Sequence, residues 1–344
     1  MQALILAGGK GIRLRPLTIH TPKPILPIVN RPFILYMIDL LKHGGATDIS
    51  LALSYQPGKI EEVIASGENY GVKIRYTTEP VPLGTAGAYR SLSENFDATS
   101  VVINGDILTS VDLNDVIRFH REKKALATIV TTPVSDPSEL GVVEFASDGR
   151  IRSFVEKPHV KPNGLRYINA GIYILEPSLL SMIPSGGAFS FEEGLFPALA
   201  AAGEAFYAYI WEGYWIDIGT PFRYLKANQD VLRGCLGDPP AHSDGLPTFI
   251  GDGEPARIDA VSIIDHSCTI KAGAEISNSV LGANCFVEER ARIENAVLFS
   301  GTRVGGASII RNCVIGKGAI IGRNANVEGA ILGDKSSLTD YTTI

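Results

Sequence analysis

Cysteine is scarce in this chain, with four in 344 residues, and no two of them form a CxxC pair. That argues against a disulfide framework and against a cysteine-built zinc site. Basic charge is not in excess either. Lys and Arg number 31 against 37 Asp and Glu, for a net charge of −6, so no field favours nucleic acid. No apolar run approaches the roughly 20 residues that cross a bilayer, so no membrane partner is expected. The opening "MQALILAGGK" has no basic stretch, and glycines cut its apolar run short. It does not read as a secretory leader, and a reducing cytoplasm is the expected location. Two familiar phosphate motifs are missing: GxxxxGK[ST] is absent, and the N-terminal glycine loop lacks GxGxxG. Histidines are few and scattered. His20, His43, His120, His159, His242 and His266 stand in no catalytic order and read as surface or packing residues.

What is present is most regular at the far end. Aliphatic residues fall in triplets: Ile264, Ile270, Ile276; Leu281, Val287, Ile293; Leu298, Val304, Ile310; Ile315, Ile321, Val327; Leu332, Leu338, Ile344. Spacings of 6, 6 and 5 give a period of 17 over five turns. Neither a helix nor a plain alternating strand has that period. A three-sided parallel β-helix does, one short strand per face. Small residues follow many of these aliphatics by four positions, among them Cys268, Ala274, Cys285, Ala291, Thr302, Ser308, Ala319 and Ala325. They suit tight corners, and Cys268 and Cys285 should stack in one column. The stretch resembles the left-handed β-helix of hexapeptide-repeat proteins, and its hand rests on that resemblance. Flat faces and open ends imply a homo-oligomer with the β-helix in the interface. The Gly-, Pro- and Asp-rich stretch before it reads as a linker. The expected domains are 1–232, a linker over 233–260, and a β-helix over 261–344.

The first part alternates strand and helix. Strands are expected at 2–6, 49–53, 72–77, 101–103 and 126–131, and helices at 33–42, 59–65, 86–92 and 113–123. This predicts an α/β, Rossmann-like, mostly parallel sheet with ligands at the strands' carboxyl ends. The loop Gly8, Gly9, Lys10, Gly11, Ile12, Arg13 follows the first strand, where its amides can cradle phosphate. Lys23 stands between Pro22 and Pro24, which restrict the backbone on both sides and aim its side chain. Asp106 and Asp217 end apolar runs. With Arg13 and Lys23 nearby in the motif order, they suggest metal-assisted phosphorus chemistry.

Six motifs stand in the order seen in sugar-phosphate nucleotidylyltransferases: "LILAGGKGIRLRPLT…PKPILPI", "EPVPLGTAGA", "VINGD", "FVEKP", "NAGIYIL" and "GYWIDIGTPFRYL". The chain resembles that family over residues 1 to about 230, and within it the mannose-1-phosphate guanylyltransferase branch. The resemblance implies a reaction of GTP with mannose-1-phosphate, giving GDP-mannose and pyrophosphate. It places Leu6, Ala7, Gly8, Gly9, Gly11, Glu79, Gly84, Thr85, Asn104 and Gly105 on the nucleotide, and Arg13 and Lys23 on the triphosphate as catalytic cations with Asp106. Asp106 and Asp217 would hold Mg²⁺. Gly141, Glu156, Lys157 and Asn169 would hold the sugar phosphate. No general base is needed, because a phosphate monoester is already ionised near neutral pH.

Where thymidylyl and uridylyl relatives carry a base-reading glutamine, this chain has Glu79. A carboxylate only accepts hydrogen bonds, which suits the two adjacent donors of guanine. The other reading is that backbone amides near Gly84 recognise the base. Three alternatives to the mannose reaction stand beside it. One is a glucose-1-phosphate thymidylyl- or uridylyltransferase. Another is an acyltransferase centred on His266 in the coils. The last is a non-catalytic scaffold, against which Lys23, Asp106, Lys157 and Asp217 argue. Ile12 departs from the family, which usually carries threonine there.

Overall fold

The computed structural model describes residues 1–79, 81–92, 97–158, 165–237 and 245–344. His159, His242 and the middle of the expected linker lie outside the described residues. The chain divides into two compact units, and the division falls inside the glycine loop. One unit holds Met1–Lys10 and Ile34–Trp215; the other holds Gly11–Phe33 and Ile216–Ile344.

The first unit is a layered α/β body. Its central strands run parallel in the order Lys73–Thr78, Asp48–Leu53, Gln2–Leu6, Ser100–Asn104. The inner three are apolar along most of their length, as strands covered on both faces must be, while Lys73–Thr78 at the edge is largely polar. Arg166–Leu175 then joins antiparallel beside Ser100–Asn104 and also pairs with Ala127–Val134, which Phe206–Ile210 extends in parallel. A hairpin of Val142–Phe145 and Ile151–Val155 completes the sheet. Helices Ile34–His43, Pro57–Ile64, Gly84–Ser91 and Leu113–Glu122 match the sequence reading to within two or three residues at their ends. Leu113–Glu122 starts where its cap demands: Asp112 accepts the backbone N–H of Asn114 at 2.9 Å. Behind the sheet an aromatic cluster of Tyr173, Phe191, Phe196 and Phe206 is fully buried, with ring centroids 5.0–5.6 Å apart between neighbours.

The second unit is a three-sided β-helix with the Gly11–Phe33 segment and the Pro221–Leu232 helix packed on it. Three parallel sheets carry the coils, and strands 17 residues apart pair, as Ile264 does with Leu281 and Ile276 with Ile293. The triplet aliphatics point inward and are buried, except in the last coil, where Ile344 is half exposed. The eight small corner residues are all buried. All four cysteines are free thiols. The ladder also begins earlier than the triplets indicate. Phe249 pairs with Ile270, 21 residues on, and Ile258 with Ile276, 18 on. These strands lie in the stretch read as linker. Extra residues in the turns break the 17-residue spacing there, so the pattern was hidden.

One corner of the β-helix carries the Gly11–Phe33 segment. Asn30 Nδ2 donates to the Leu281 carbonyl (2.8 Å), and Lys317 Nζ donates to Thr21 Oγ1 (3.2 Å). One coil further, a Cβ added at Gly333 would stand 3.1 Å from Pro16 Cβ. Among the described residues, no helix is long and apolar enough to cross a membrane.

Candidate functional site

The glycine loop starts where the Gln2–Leu6 strand leaves the sheet. Ala7 N–H still donates to Ala52 O (3.0 Å), and Gly105 N–H donates to Leu6 O (2.8 Å). The loop and the "NGD" turn are thus stitched together by backbone. A Cβ at Gly105 would come within 2.6 Å of the Leu6 carbonyl, so only glycine allows this approach. Leu6, Ala7, Gly8, Gly9, Asn104, Gly105 and Asp106 therefore lie together at the carboxyl ends of two adjacent parallel strands. Gly9 is exposed and has nothing within 4 Å of where a Cβ would stand, leaving room for a ligand's approach.

The "PLGTAGA" loop is held by a short backbone exchange with Phe189. Phe189 N–H donates to Leu83 O (2.8 Å), and Ala86 and Gly87 N–H donate to Phe189 O (3.0 and 2.9 Å). Gly84 has φ +73°, and a Cβ there would collide with Phe189 O at 2.6 Å, so glycine is obligatory. Glu79 Oε2 accepts the backbone N–H of Leu83 at 3.0 Å. That bond fixes the carboxylate beside the loop through one of its two acceptor oxygens.

The expected sugar-phosphate residues also come together. Asn169 N–H donates to Gly141 O (2.8 Å), and a Cβ at Gly141 would stand 2.7 Å from Glu156 Oε2. Lys157 Nζ lies 3.3 Å from Glu156 Oε1. Burial pushes the Glu156 carboxyl above its ordinary range, against the pull of Lys157. Lys157 itself has φ +44°, a left-handed conformation that a lysine rarely adopts and that marks a constrained position. The Trp215 indole N–H donates to Ala170 O (2.9 Å) beside the "NAG" turn.

In the second unit, Gly11 is packed by its own segment. Thr18 Oγ1 donates to Gly11 O (2.7 Å), and a Cβ at Gly11 would stand 3.3 Å from Lys23 Cβ. Lys23 is buried and Arg13 exposed. Asp217 is buried, and Arg223, from the first turn of the Pro221–Leu232 helix, donates to its Oδ1. A Cβ at Gly219 would meet Asp217 Oδ2 at 2.8 Å and Arg13 Nη2 at 3.1 Å. Arg13, Asp217 and Arg223 therefore form one charged group.

No cluster of three or more His, Cys, Asp and Glu fit for a metal occurs among the described residues. Asp106 in the first unit and Asp217 in the second are each hard oxygen donors of the kind Mg²⁺ takes. The sequence reading missed Arg223, Tyr173, Ser190 and Glu192. Glu192 follows a helix-capping serine, but no local signal connects it with Thr85, which it meets across 107 residues of chain.

Residues 2–234 match the family described as "Nucleotidyl transferase", and residues 252–344 match "EIF2B subunit epsilon LbH domain", a left-handed β-helix. A mannose-1-phosphate guanylyltransferase of Mycobacterium tuberculosis is 34% identical over 80% of this chain and 76% of its own length. A UTP–glucose-1-phosphate uridylyltransferase of Synechocystis is 36% identical over 82% of each chain. The crystal structure of HddC from Yersinia pseudotuberculosis superposes with a TM-score of 0.58 and 31% identity, covering 67% of this chain and 98% of that one.

Proposed function

Because the chain belongs to the nucleotidyl transferase family, we propose that it transfers the guanylyl group of GTP to mannose-1-phosphate, releasing pyrophosphate and giving GDP-mannose. Guanylyl-transferring relatives support the base, and so does Glu79. Its carboxylate, held by the Leu83 N–H, accepts from the donor edge of guanine and repels the acceptors that flank the single donor of a pyrimidine. That carboxylate is the observation that carries the choice of base.

The residues divide the work as follows. Amides of the loop at Gly8, Gly9 and Gly11, with Arg13, bind the β- and γ-phosphates, and Lys23 neutralises the α-phosphate. Glu156, Asn169 and the backbone at Gly141 hold the sugar, while Lys157 holds its phosphate. An oxygen of that phosphate attacks the α-phosphorus in line. The new P–O bond forms as the bond to the β-phosphate breaks, and pyrophosphate leaves. Asp106 and Asp217 would hold Mg²⁺, which would supply positive charge to neutralise the two polyanions. Positioning and neutralisation supply the rate, with no covalent enzyme intermediate. The matches at 2–234 and 252–344 support a catalytic domain over 1–232 followed by the β-helix, and the flat coil faces support a homo-oligomer.

The test is pyrophosphate release from GTP, dTTP and UTP, each with mannose-1-phosphate and glucose-1-phosphate. GTP with mannose-1-phosphate should give the highest kcat/KM, and Glu79→Gln should shift preference toward the pyrimidine triphosphates. Better turnover of dTTP or UTP by the unaltered protein would overturn the assignment.

A further inference from the structure

Glu192 gathers three hydroxyls on one carboxylate. Its Oε2 accepts from Thr85 Oγ1 (2.6 Å) and Ser190 Oγ (2.7 Å), and its Oε1 accepts from Tyr173 Oη (3.1 Å). Each arm leads elsewhere. Thr85 is the second residue of the Gly84–Ser91 helix, and its oxygen also accepts the Phe191 N–H (2.8 Å). The Tyr173 oxygen accepts from Asn169 Nδ2 (2.9 Å) and more weakly from Asn104 Nδ2 (3.4 Å). Ser190 caps the local turn by accepting the N–H of Glu192 and Glu193 (3.0 and 3.2 Å). That turn, Phe191–Leu195, is a single π-helical turn, a form concentrated at functional positions.

The network therefore runs from the nucleotide-loop residue Thr85, through one carboxylate, to Asn169 and Asn104. Tyr173 is fully buried, so its O–H must have an acceptor, and Glu192 supplies it. With its amide nitrogen given to Tyr173, Asn104 Oδ1 is buried and has no hydrogen-bond partner among the described residues. We propose that Glu192 is a positioning residue that couples the nucleotide loop to the sugar-phosphate residues, so that ordering one favours the other. The proposal rests on the assignment of Thr85 to the nucleotide and Asn169 to the sugar phosphate.

A carboxylate is required because it accepts on both oxygens. The amide of a glutamine accepts on one and presents donors on the other. Glu192→Gln should lower kcat/KM for both substrates about tenfold or more, since misplaced groups lose rate steeply. The decisive readout is coupling. Thr85→Val, on the nucleotide side, should raise KM for the sugar phosphate in the native background and add little in the E192Q background. Tyr173→Phe should show the same non-additivity with Thr85→Val, which keeps the test open if E192Q fails to fold. Ser190→Ala removes the turn cap and one hydroxyl from the carboxylate but leaves the Thr85 and Tyr173 arms, so it should lower the melting temperature while raising the sugar-phosphate KM less than Thr85→Val does. Kinetics of E192Q within twofold of the native protein would overturn the proposal, as would an undiminished Thr85→Val effect in that background. The ratios are read with whichever triphosphate and sugar phosphate the native protein turns over. An error in base or sugar therefore appears in the nucleotide panel and leaves this test intact.

Discussion

The backbone N–H of Val29 donates to Asn228 Oδ1 at 2.8 Å, across 199 residues of chain. Val29 and Asn30 have φ of +47° and +60° and form the two-residue turn between Pro27–Ile28 and Arg31–Pro32. A valine there is strained, so the turn needs outside support. Asn228 is fully buried and anchors itself by donating to Tyr224 O at 2.9 Å. Asn228→Ala leaves the Val29 N–H without an acceptor, and about 1–3 kcal/mol of stability should be lost. Urea unfolding curves measure it. KM for the triphosphate should rise alongside, because the loosened turn belongs to the segment that carries Lys23.

The two carboxylates assigned to Mg²⁺ should behave alike in spite of their different surroundings. Asp106→Ala and Asp217→Asn are each expected to cut kcat by about 10²–10³. Chelation by EDTA should stop turnover of the native protein, with recovery on adding Mg²⁺. Pyrophosphate release by Asp106→Ala at the native rate would remove that residue from the site.

Ile12 is 60% exposed, so a change there disturbs no packing. Ile12→Thr offers a hydroxyl to the triphosphate, and KM should change about two- to fivefold, the reach of one exposed hydrogen bond. Preference among GTP, dTTP and UTP should stay as it is. A changed base preference in the nucleotide panel would mean this loop does not face the phosphates.

His120 is buried, with Nδ1 2.8 Å from Thr128 Oγ1 and Nε2 3.1 Å from Glu176 Oε1. Burial holds its pKa below the ordinary value, although Glu176 pulls the other way. The unfolded chain therefore binds this proton more readily than the folded one. The contribution is fully present above pH ~6.5, and stability falls as pH drops from there through the lowered folded value. Melting temperatures measured between pH 7.5 and pH 5.5 should decline, and less steeply in His120→Gln.

The β-helix was legible because its coils from Ile264 onward keep one spacing. Ile270, Val287, Val304, Ile321 and Leu338 occupy one inward column at intervals of 17. Phe249 and Ile258 were not legible, since their turns carry extra residues. The loop residues were found because glycine and proline restrict the backbone in ways visible locally, at Gly84 or around Lys23. Glu192 and Arg223 lay beyond such reasoning. Glu192 acts through Thr85, brought near only by the fold, Arg223 reaches Asp217 six residues back across a strand-to-helix turn, and a glutamate after a serine looks like any helix start.

The contacts of Asn30 with Leu281, Thr21 with Lys317, and Pro16 with Gly333 follow one edge of the coil stack. Neighbouring strands in such a stack lie ~4.8 Å apart. The edge is therefore a ruler whose divisions are whole coils. Excising a block of 17 residues between Leu281 and Lys317 would leave every sheet in register. It would also slide Lys317 one division past Thr21. The number of coils between Leu281 and Lys317 is thus matched to the length of the segment it measures.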